Sequence, residues 1–205
     1  MTLVSWFIVQ ILYRKPVIGM DHKKLVVLAI SGSLRKQSSN SRLLSVIEGM
    51  APSHVEFRHY DGLANLPHFS PDLDGDESER NKAVEEWREQ LRAADAVMIC
   101  TPEYARGVPG TLKNALDWIV SSGEFMGMPT AAISASPHPD GGKEALASLM
   151  MTLKMMSADI PDEASLAVPF IGTKLGSDGS IKDGNIASLL LNLIQALLQA
   201  VPEKK

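Results

Sequence analysis

Residues 30–40 have the sequence ISGSLRKQSSN, a polar segment that lies between an apolar run and a helical pattern. The preceding residues 25–30 are continuously apolar and partly β-branched, which predicts a parallel strand buried on both faces. Asn40 is a suitable N-cap for the helix that follows. A strand, a hydroxyl-rich turn and a helix N-terminus bring backbone N–H groups and the positive end of the helix dipole to one point, where an anion is favoured.

The polar segment matches neither of the two common nucleotide-binding loops, but it has the donors that a terminal phosphate requires. It has neither the G-x-x-x-x-G-K-[ST] pattern of nucleoside-triphosphate loops nor the G-x-G-x-x-G turn of dinucleotide-binding units. Its side-chain donors to a phosphomonoester are Ser33, Ser38, Ser39 and Asn40, and Arg35 adds a permanent charge. These donors suit a mononucleotide such as FMN at the switch point of a flavodoxin-like sheet. The alternative is an ordinary turn, in which Gly, Ser and Asn are also common.

The composition favours a single globular domain. The chain has 205 residues, 45% of them hydrophobic and 21% charged, which is enough to bury a full core. A formal net charge of −4 shows no basic footprint, so we expect no nucleic-acid partner. Cys100 is the single cysteine, which excludes a disulfide framework, a CxxC redox pair and a thiolate-rich metal site. A reducing, cytoplasmic setting is therefore predicted, with no bound metal.

Residues 1–24 are predicted to be an extension that the fold does not require. The run from Leu3 to Leu12 is apolar, but its positive charges, Arg14 and Lys15, follow it instead of preceding it as in a signal peptide. The run is also too short for a membrane span, so no membrane partner is expected. We hypothesise that Met20 is the more natural start and that residues 25–205 form the folded domain.

The rest of the chain alternates strand and helix patterns. Strands are predicted at residues 25–30, 54–60, 96–100, 130–134 and 164–170, the second of them exposed at or near a sheet edge. Helices are predicted to follow Asn40, Ser78 and Pro109 and to span residues 143–156 and 186–201. Right-handed crossovers make this a three-layer, doubly wound α/β fold with a five-stranded parallel sheet in the order 2-1-3-4-5. The helix after Pro109 is expected to point inward with Leu112, Ala115, Leu116, Ile119 and Val120.

Three loops emerge at the carboxyl ends of predicted strands. We call residues 30–40 the first loop, residues 101–110 (TPEYARGVPG) the second loop and residues 135–142 (ASPHPDGG) the third loop. A ligand in such a sheet lies beyond the strand ends, where the order reverses between strands one and three. The long connection 61–77 is expected to flank the same place. His138 in the third loop is a candidate substrate contact, although Pro137 and Pro139 favour a rigid turn there. Trp87 and Trp118 are expected to be core or interface residues.

Two motifs resemble the NAD(P)H-dependent FMN reductase family, which has the flavodoxin-like fold and includes quinone, azo-dye and chromate reductases. The first is G-S-L-R-x-x-S-x-N at residues 32–40, and the second is P-E-Y-x-x-G-x-P-G-x-L-K-N-A-L-D-W at residues 102–118. The resemblance extends over roughly residues 25–200. Two long motifs in the right order are far more specific than a single glycine-rich loop.

The resemblance implies roles for residues in all three loops. The FMN phosphate is expected to be held by Ser33, Arg35, Ser38 or Ser39, and Asn40. The backbone of Pro102, Glu103, Tyr104 and Ala105, with Gly107, is expected to lie along the isoalloxazine ring. Residues 134–142 are expected to close the other side through Ser134, Ser136, Gly141 and Gly142. Many relatives have Asn where this chain has Ala105, and family members form homodimers or homotetramers.

The function expected from the resemblance is FMN-dependent oxidoreduction. Hydride would pass from NADPH or NADH through bound FMN to a small acceptor, such as a quinone, an azo compound, free flavin or a chromate-like oxyanion, by a ping-pong mechanism. The flavin performs the redox step, so no catalytic side chain is required. The alternative is a flavodoxin-like electron carrier that docks on protein partners without substantial NAD(P)H turnover.

Overall fold

The computed structural model describes residues 24–74, 81–176 and 180–203. Its five strands are β1 (Leu25–Ser31), β2 (Val55–Tyr60), β3 (Ala96–Thr101), β4 (Thr130–Ala135) and β5 (Ser165–Val168). They form one sheet in the order β2-β1-β3-β4-β5, and every neighbouring pair is parallel. The predicted fold class and strand order are confirmed, and the half-exposed β2 lies at an edge as expected.

Helices cover both faces of this sheet. The longer helices of the described ranges are α1 (Ser39–Met50), α2 (Lys82–Arg92), α3 (Gly110–Asp117), α4 (Lys143–Met155) and α5 (Gly184–Ala200). Short helical turns lie at Gly62–Asn65, Pro71–Asp74, Asp162–Ala164 and Ile171–Lys174. In these ranges, none of the helices has the length and apolarity needed to cross a membrane. The predicted extension, residues 1–24, lies outside the described residues except for Lys24.

The core has one half on each face of the sheet, because alternate residues of a strand point in opposite directions. On one face, side chains such as Val27, Met98 and Ile133 pack against α1 and α5. On the other face, Leu28, Ile99 and their neighbours pack against α2, α3 and α4. Since β1, β3 and β4 are buried on both faces, the strands themselves leave polar groups only at their ends.

Both predicted core tryptophans lie in the half of the core that contains α2 and α3. Trp87 is 0% and Trp118 2% exposed, and each indole N–H has an acceptor. Trp87 Nε1 donates to the Ala115 carbonyl at 2.9 Å, and Trp118 Nε1 donates to the Pro67 carbonyl at 2.8 Å. The second of these bonds fixes the connection after β2 to the end of α3. Because each indole N–H has an acceptor, these large apolar rings can be buried without leaving an unpaired hydrogen-bond donor.

Three local expectations are wrong. The N-cap of α1 is Ser38 and not Asn40, because the Ser38 hydroxyl accepts from two N–H groups of the first turn. Val120 is 45% exposed instead of inward, since α3 ends at Asp117 and the chain no longer keeps helical spacing there. The fifth strand ends at Val168, because Phe170 has a left-handed backbone with φ 53° and begins a helical turn.

Replacing Gly32 by alanine is expected to destabilise the fold by about 1–3 kcal/mol through overpacking. Gly32 donates its N–H to the Cys100 carbonyl at 2.9 Å, which brings the start of the first loop against β3. A Cβ at this position would lie 2.7 Å from Thr101 Oγ1 and 3.0 Å from Leu112 Cδ2. Urea denaturation measures the loss.

The matched control is Gly49→Ala. Gly49 lies within α1, and an added Cβ would meet nothing within 4 Å. Alanine in a helix is favoured over glycine, so this variant should gain about 0.5–1 kcal/mol. If both variants had the stability of the parent protein, the close approach at Gly32 would not matter to the fold.

Stability should also fall at high pH through Tyr60, whose ring lies 4.4 Å from that of Trp87. Burial, with the carboxylates of Glu86 and Asp61, raises the pKa of Tyr60 to about 12. In the unfolded chain this phenol ionises near its ordinary pKa of about 10. Between about pH 10 and pH 12, ionisation therefore stabilises the unfolded state relative to the folded state, and the free energy of unfolding falls. Tyr60→Phe should therefore lose less stability than the parent over that window, as measured by urea midpoints. Identical pH profiles would contradict this assignment.

Candidate functional site

A cavity of about 250 Å³ opens at the carboxyl edge of the sheet, where the strand order reverses between β1 and β3. We call it the central cavity. All three loops line it, through Ser33, Arg35, Ser38, Ser39, Asn40, Pro102, Glu103, Tyr104, Ala135, Ser136, Pro137 and His138, together with Ile171. Most of the predicted site residues are therefore brought together. Ala105, Gly107, Ser134, Gly141 and Gly142 are the predicted residues outside its lining.

The first loop supplies the central cavity with hydrogen-bond donors. The Ser38 hydroxyl accepts from Asn40 N at 3.2 Å and Ser41 N at 3.4 Å, which caps α1 and leaves the Ser38 O–H free to donate. The backbone N–H of Ser39, the first residue of α1, has no acceptor within the described ranges. The Arg35 guanidinium is exposed and is likewise unpaired there. This end of the cavity therefore has the donors and the positive field that favour an anion.

Asn40 is buried at 4% exposure and holds the first loop to two strands. Its Nδ2 donates to the Ala135 carbonyl of β4 at 3.5 Å, and its Oδ1 accepts from Cys100 Sγ of β3 at 3.2 Å. The amide has two N–H bonds, so one remains for a ligand in the cavity. Burial raises the pKa of the Cys100 thiol, which keeps it protonated and makes it a donor to Asn40 instead of a nucleophile.

Glu103 lines the cavity, but its carboxylate is occupied by α4. Glu103 Oε2 accepts from Glu144 N at 3.1 Å and from Ala145 N at 3.2 Å. The N-cap residue of α4, Gly142, makes no side-chain capping bond. A carboxylate at a helix N-terminus is stabilised by the free N–H groups and the dipole. Glu103 thus caps a helix about forty residues further along the chain, a role for which the local sequence carries no signal.

The second loop contains a tight turn with left-handed residues. Tyr104 N donates to the Gly107 carbonyl at 2.9 Å, and Gly107 N donates to the Tyr104 carbonyl at 3.0 Å. The two central residues are Ala105, with φ 49°, and Arg106, with φ 61°. Such turns normally use Asn and Gly, because a Cβ is disfavoured at positive φ. The turn projects Tyr104, which is 49% exposed, at the cavity mouth.

The third loop is held in shape by residues that were expected to face the ligand. Ser134 Oγ donates to the Gly141 carbonyl at 2.8 Å. Gly141 has φ 66°, and a Cβ there would lie 2.8 Å from Pro169 N, so only glycine fits. The loop therefore packs against the end of β5.

The sequence analysis missed several residues of the cavity lining. Ala135 and Pro137 flank the predicted Ser136, and Ile171 comes from the turn after β5. Ile171 N donates to the Ser136 carbonyl at 3.1 Å, which joins this turn to the third loop. No local signal marks Ile171, because its place depends on the left-handed backbone of Phe170. His138, considered as a substrate contact, does line the cavity.

Comparison with known proteins decides the family. Residues 25–172 match the sequence profile of the NADPH-dependent FMN reductases. The chain belongs to this family. The resemblance noted from the two motifs is confirmed, and the protein is a flavin-dependent oxidoreductase of a family that uses FMN and NAD(P)H.

Individual relatives cover most of the chain. An NAD(P)H-dependent FMN reductase of Pseudomonas aeruginosa is 33% identical over 83% of this chain and 92% of its own length. A 2-hydroxy-1,4-benzoquinone reductase from a Burkholderia species is 31% identical over 77% of this chain and 85% of its own. Among solved structures, the flavoenzyme FerB, an NAD(P)H:(acceptor) oxidoreductase from Paracoccus denitrificans, is similar with a TM-score of 0.77 and 29% identity. That match covers 86% of this chain and 97% of FerB.

The donors of the central cavity fit the family's cofactor. A phosphomonoester requires several donors and a positive field, which the first loop provides through hydroxyls, a helix N-terminus and an unpaired guanidinium. The one carboxylate in the lining, that of Glu103, is bound by α4. The residues present therefore suit an FMN phosphate at one end and leave the other end for an uncharged ring system.

Replacing Ala105 by asparagine is expected to stabilise the protein by up to about 1 kcal/mol, because Asn tolerates the left-handed conformation better than alanine does. The control is Ala93→Asn, an exposed alanine with φ −82° at the end of α2. A surface change of that kind should stay within about 0.5 kcal/mol of the parent. Guanidinium denaturation of both variants gives the comparison, and equal stabilities would show that the second loop carries no such strain.

Proposed function

We propose that this chain transfers hydride from NADPH or NADH, through FMN bound in the central cavity, to a small electron acceptor by a ping-pong mechanism. The acceptor classes are quinones, azo compounds, free flavin and chromate-like oxyanions. The observation that carries the proposal is the convergence of an anion site and two strand-end loops on one cavity of about 250 Å³ at the switch point of the sheet.

In this proposal the first loop anchors the cofactor. Its phosphate is held by Ser33, Arg35, Ser38 or Ser39, and Asn40. Arg35 supplies the charge, and the serines and the remaining Asn40 N–H fix the direction of the phosphate oxygens. Because Asn40 is itself tied to β3 and β4, the anchor is rigid with respect to the sheet.

The second and third loops surround the ring in this proposal. Pro102, Glu103, Tyr104 and Ala105, with Gly107, lie along it, and the segment Ser134, Ser136, Gly141 and Gly142 closes the other side. When bound, FMN supplies the redox chemistry by taking up hydride and passing electrons on. The chain binds and orients the reactants, and the N–H groups of Ala105 and Arg106, which lack acceptors in the described residues, are available to stabilise negative charge on the ring.

The breadth of acceptors and the ping-pong order rest on the openness of the site. Tyr104 and His138 are exposed at the cavity mouth, and no described segment covers them. The dinucleotide and the acceptor must reach the same ring, so one leaves before the other enters. The names of the Burkholderia and Paracoccus relatives, a quinone reductase and an oxidoreductase with an unspecified acceptor, support small organic acceptors.

We further propose a homodimer or homotetramer that works in the cytoplasm. The exposed apolar residues Val120 and Met126 follow α3 and provide surface for subunit contact. The lone cysteine is consistent with a reducing compartment. Light scattering on the purified protein measures the assembly, and a monomer at working concentration would contradict this part.

An anaerobic titration tests the proposed activity. The purified full chain, reconstituted with FMN, should lose its visible flavin absorbance on addition of one equivalent of NADPH or NADH and recover it on addition of a benzoquinone. A colourless protein that stays free of flavin when FMN is added would overturn the proposal. Slow bleaching with a persistent one-electron radical by EPR would indicate an electron carrier instead.

Arg35→Ala should weaken FMN binding by about 1.5–3 kcal/mol, the range for hydrogen bonds to charged groups, which is roughly 10- to 150-fold in Kd. The control is Lys36→Ala, which removes the neighbouring exposed cation without changing the lining of the central cavity. Quenching of FMN fluorescence gives both dissociation constants. Equal affinities for the two variants would refute the role of Arg35.

A further inference from the structure

A second cavity, of about 340 Å³, lies on the other side of the first loop. We call it the side cavity. It lies between the first loop and the carboxyl end of β2. Its lining includes Ser31, Leu34, Tyr60, Asp61, Leu63 and Ala64. Ser33 and Arg35 line both this cavity and the central one. A ligand in the side cavity therefore lies next to the proposed FMN phosphate, with only the first loop between them.

The walls of the side cavity suit a planar heterocycle with few polar groups. Leu34, Leu63 and Ala64 make the apolar part, and Leu63 is only 3% exposed. The hydroxyls of Ser31 and Ser41 are bonded to each other at 2.9 Å, so they present little unsatisfied polarity. Apolar walls with a few placed polar groups are the usual lining of small-molecule sites.

Asp61 places one charge at the rim of the side cavity. It directly follows β2, and among the residues that the structure describes its carboxylate has neither a hydrogen bond nor an ion pair. In Rossmann dinucleotide-binding sheets, an acidic residue near the second strand accepts from the ribose hydroxyls, and Asp61 has a similar place here although the glycine-rich turn of that fold is absent from residues 30–40. A carboxylate accepts from a vicinal diol but repels a phosphate on the same ribose. Glu86, which acts on the Tyr60 phenol, lies outside this lining and is paired with Lys82 at 3.6 Å, so Asp61 is the acidic residue of the lining.

Arg35 can serve both cavities at once. The guanidinium is planar and has five N–H donors in a fixed fork, so it can face two anions on different edges. One edge suits the FMN phosphate in the central cavity, and another suits a pyrophosphate that crosses the first loop from the side cavity. His59, the other basic group of the lining, is paired with Glu48 at 2.9 Å. Of the described basic residues that line the side cavity, Arg35 is thus the one without an ion-pair partner.

We infer that the side cavity binds the adenosine half of the nicotinamide dinucleotide, and that Asp61 makes it select a ribose with a free 2′-hydroxyl, so that NADH is preferred over NADPH. This rests on the proposed function, because it gives a place to the part of the co-substrate that does not react. In this inference the nicotinamide half passes Arg35 and Ser33 beside the FMN phosphate and extends to the second and third loops, where the ring is proposed to lie. The selectivity follows from charge at the rim and not from the shape of the central cavity.

The kinetic test uses the FMN-loaded full chain with three reductants: NADH, NADPH and reduced nicotinamide mononucleotide, which lacks adenosine. Asp61→Asn should lower KM for NADPH by about fivefold relative to KM for NADH, as expected for loss of one exposed like-charge contact. The matched control is Asp72→Asn, an exposed aspartate of the same connection that lies outside both cavities and should keep the parent ratio. Ala64→Trp, which fills the side cavity, should raise KM for NADH about fivefold or more relative to KM for the mononucleotide.

The binding test needs no turnover. ADP-ribose should bind to the parent protein in isothermal titration calorimetry, and should bind at least about fivefold more weakly to Ala64→Trp. If Ala64→Trp does not fold, Asp61→Asn and competition of ADP-ribose with NADH carry the test. Flavin reduction at equal KM by NADH and the mononucleotide, with no ADP-ribose binding, would overturn this inference and leave the proposed function standing. ADP-ribose binding that the Ala64 variant loses, without any flavin reduction, would support the side cavity and overturn the proposed function.

Discussion

The buried amide of Asn40 is the contact on which the arrangement of the site depends. It joins the first turn of α1 to Cys100 of β3 and to the Ala135 carbonyl of β4, so a helix and two neighbouring strands of the sheet meet at one side chain. A buried amide must be bonded, and both of its partners are main-chain or side-chain groups of central strands. Its removal would leave the Cys100 thiol and the Ala135 carbonyl unpaired inside the protein. The donors of Ser38 and Ser39 keep their position because Asn40 fixes the start of α1.

Charge is distributed around this anchor in a way that the fold imposes. The Glu103 carboxylate faces the N-terminus of α4. The Arg88 guanidinium is paired with the Asp74 carboxylate at an N–O distance of 2.6 Å, and neither residue lines the central or the side cavity. Among the described residues, Arg35 between the two cavities and Asp61 at the outer rim have no ion-pair partner. A positive group at the centre with a negative group beyond it favours an extended ligand that carries phosphate near Arg35 and hydroxyls near Asp61. In that arrangement Arg35 would bind the phosphate, and Asp61 would discriminate between ligands with and without free hydroxyls.

The sequence predicts those parts of the structure that depend on local pattern. Continuous apolar runs identify β1, β3 and β4, and the loops that follow them contain most of the cavity lining. What it does not predict depends on contacts between distant segments. Ser38 and Asn40 are both good capping residues, and Ser38 caps α1 because Asn40 is taken up by β3 and β4. The capping of α4 by Glu103 is invisible for the same reason, since α4 follows a glycine that supplies no side chain.

The loops beside the proposed ring end of the central cavity have backbone conformations that contacts outside the cavity determine. Gly141 has room for no side chain against Pro169, and the Tyr104–Gly107 bonds impose left-handed conformations on Ala105 and Arg106. Strained or glycine-dependent loops persist only when neighbouring structure determines them, and here β5 and the hairpin pairing do so. A surface of peptide groups offers donors to a ring but few side chains that select a particular acceptor. Because FMN supplies the redox chemistry in this family, the protein gains more from a rigid, open surface at this end than from catalytic side chains, and the proposed preference for one dinucleotide depends instead on Asp61 at the side cavity.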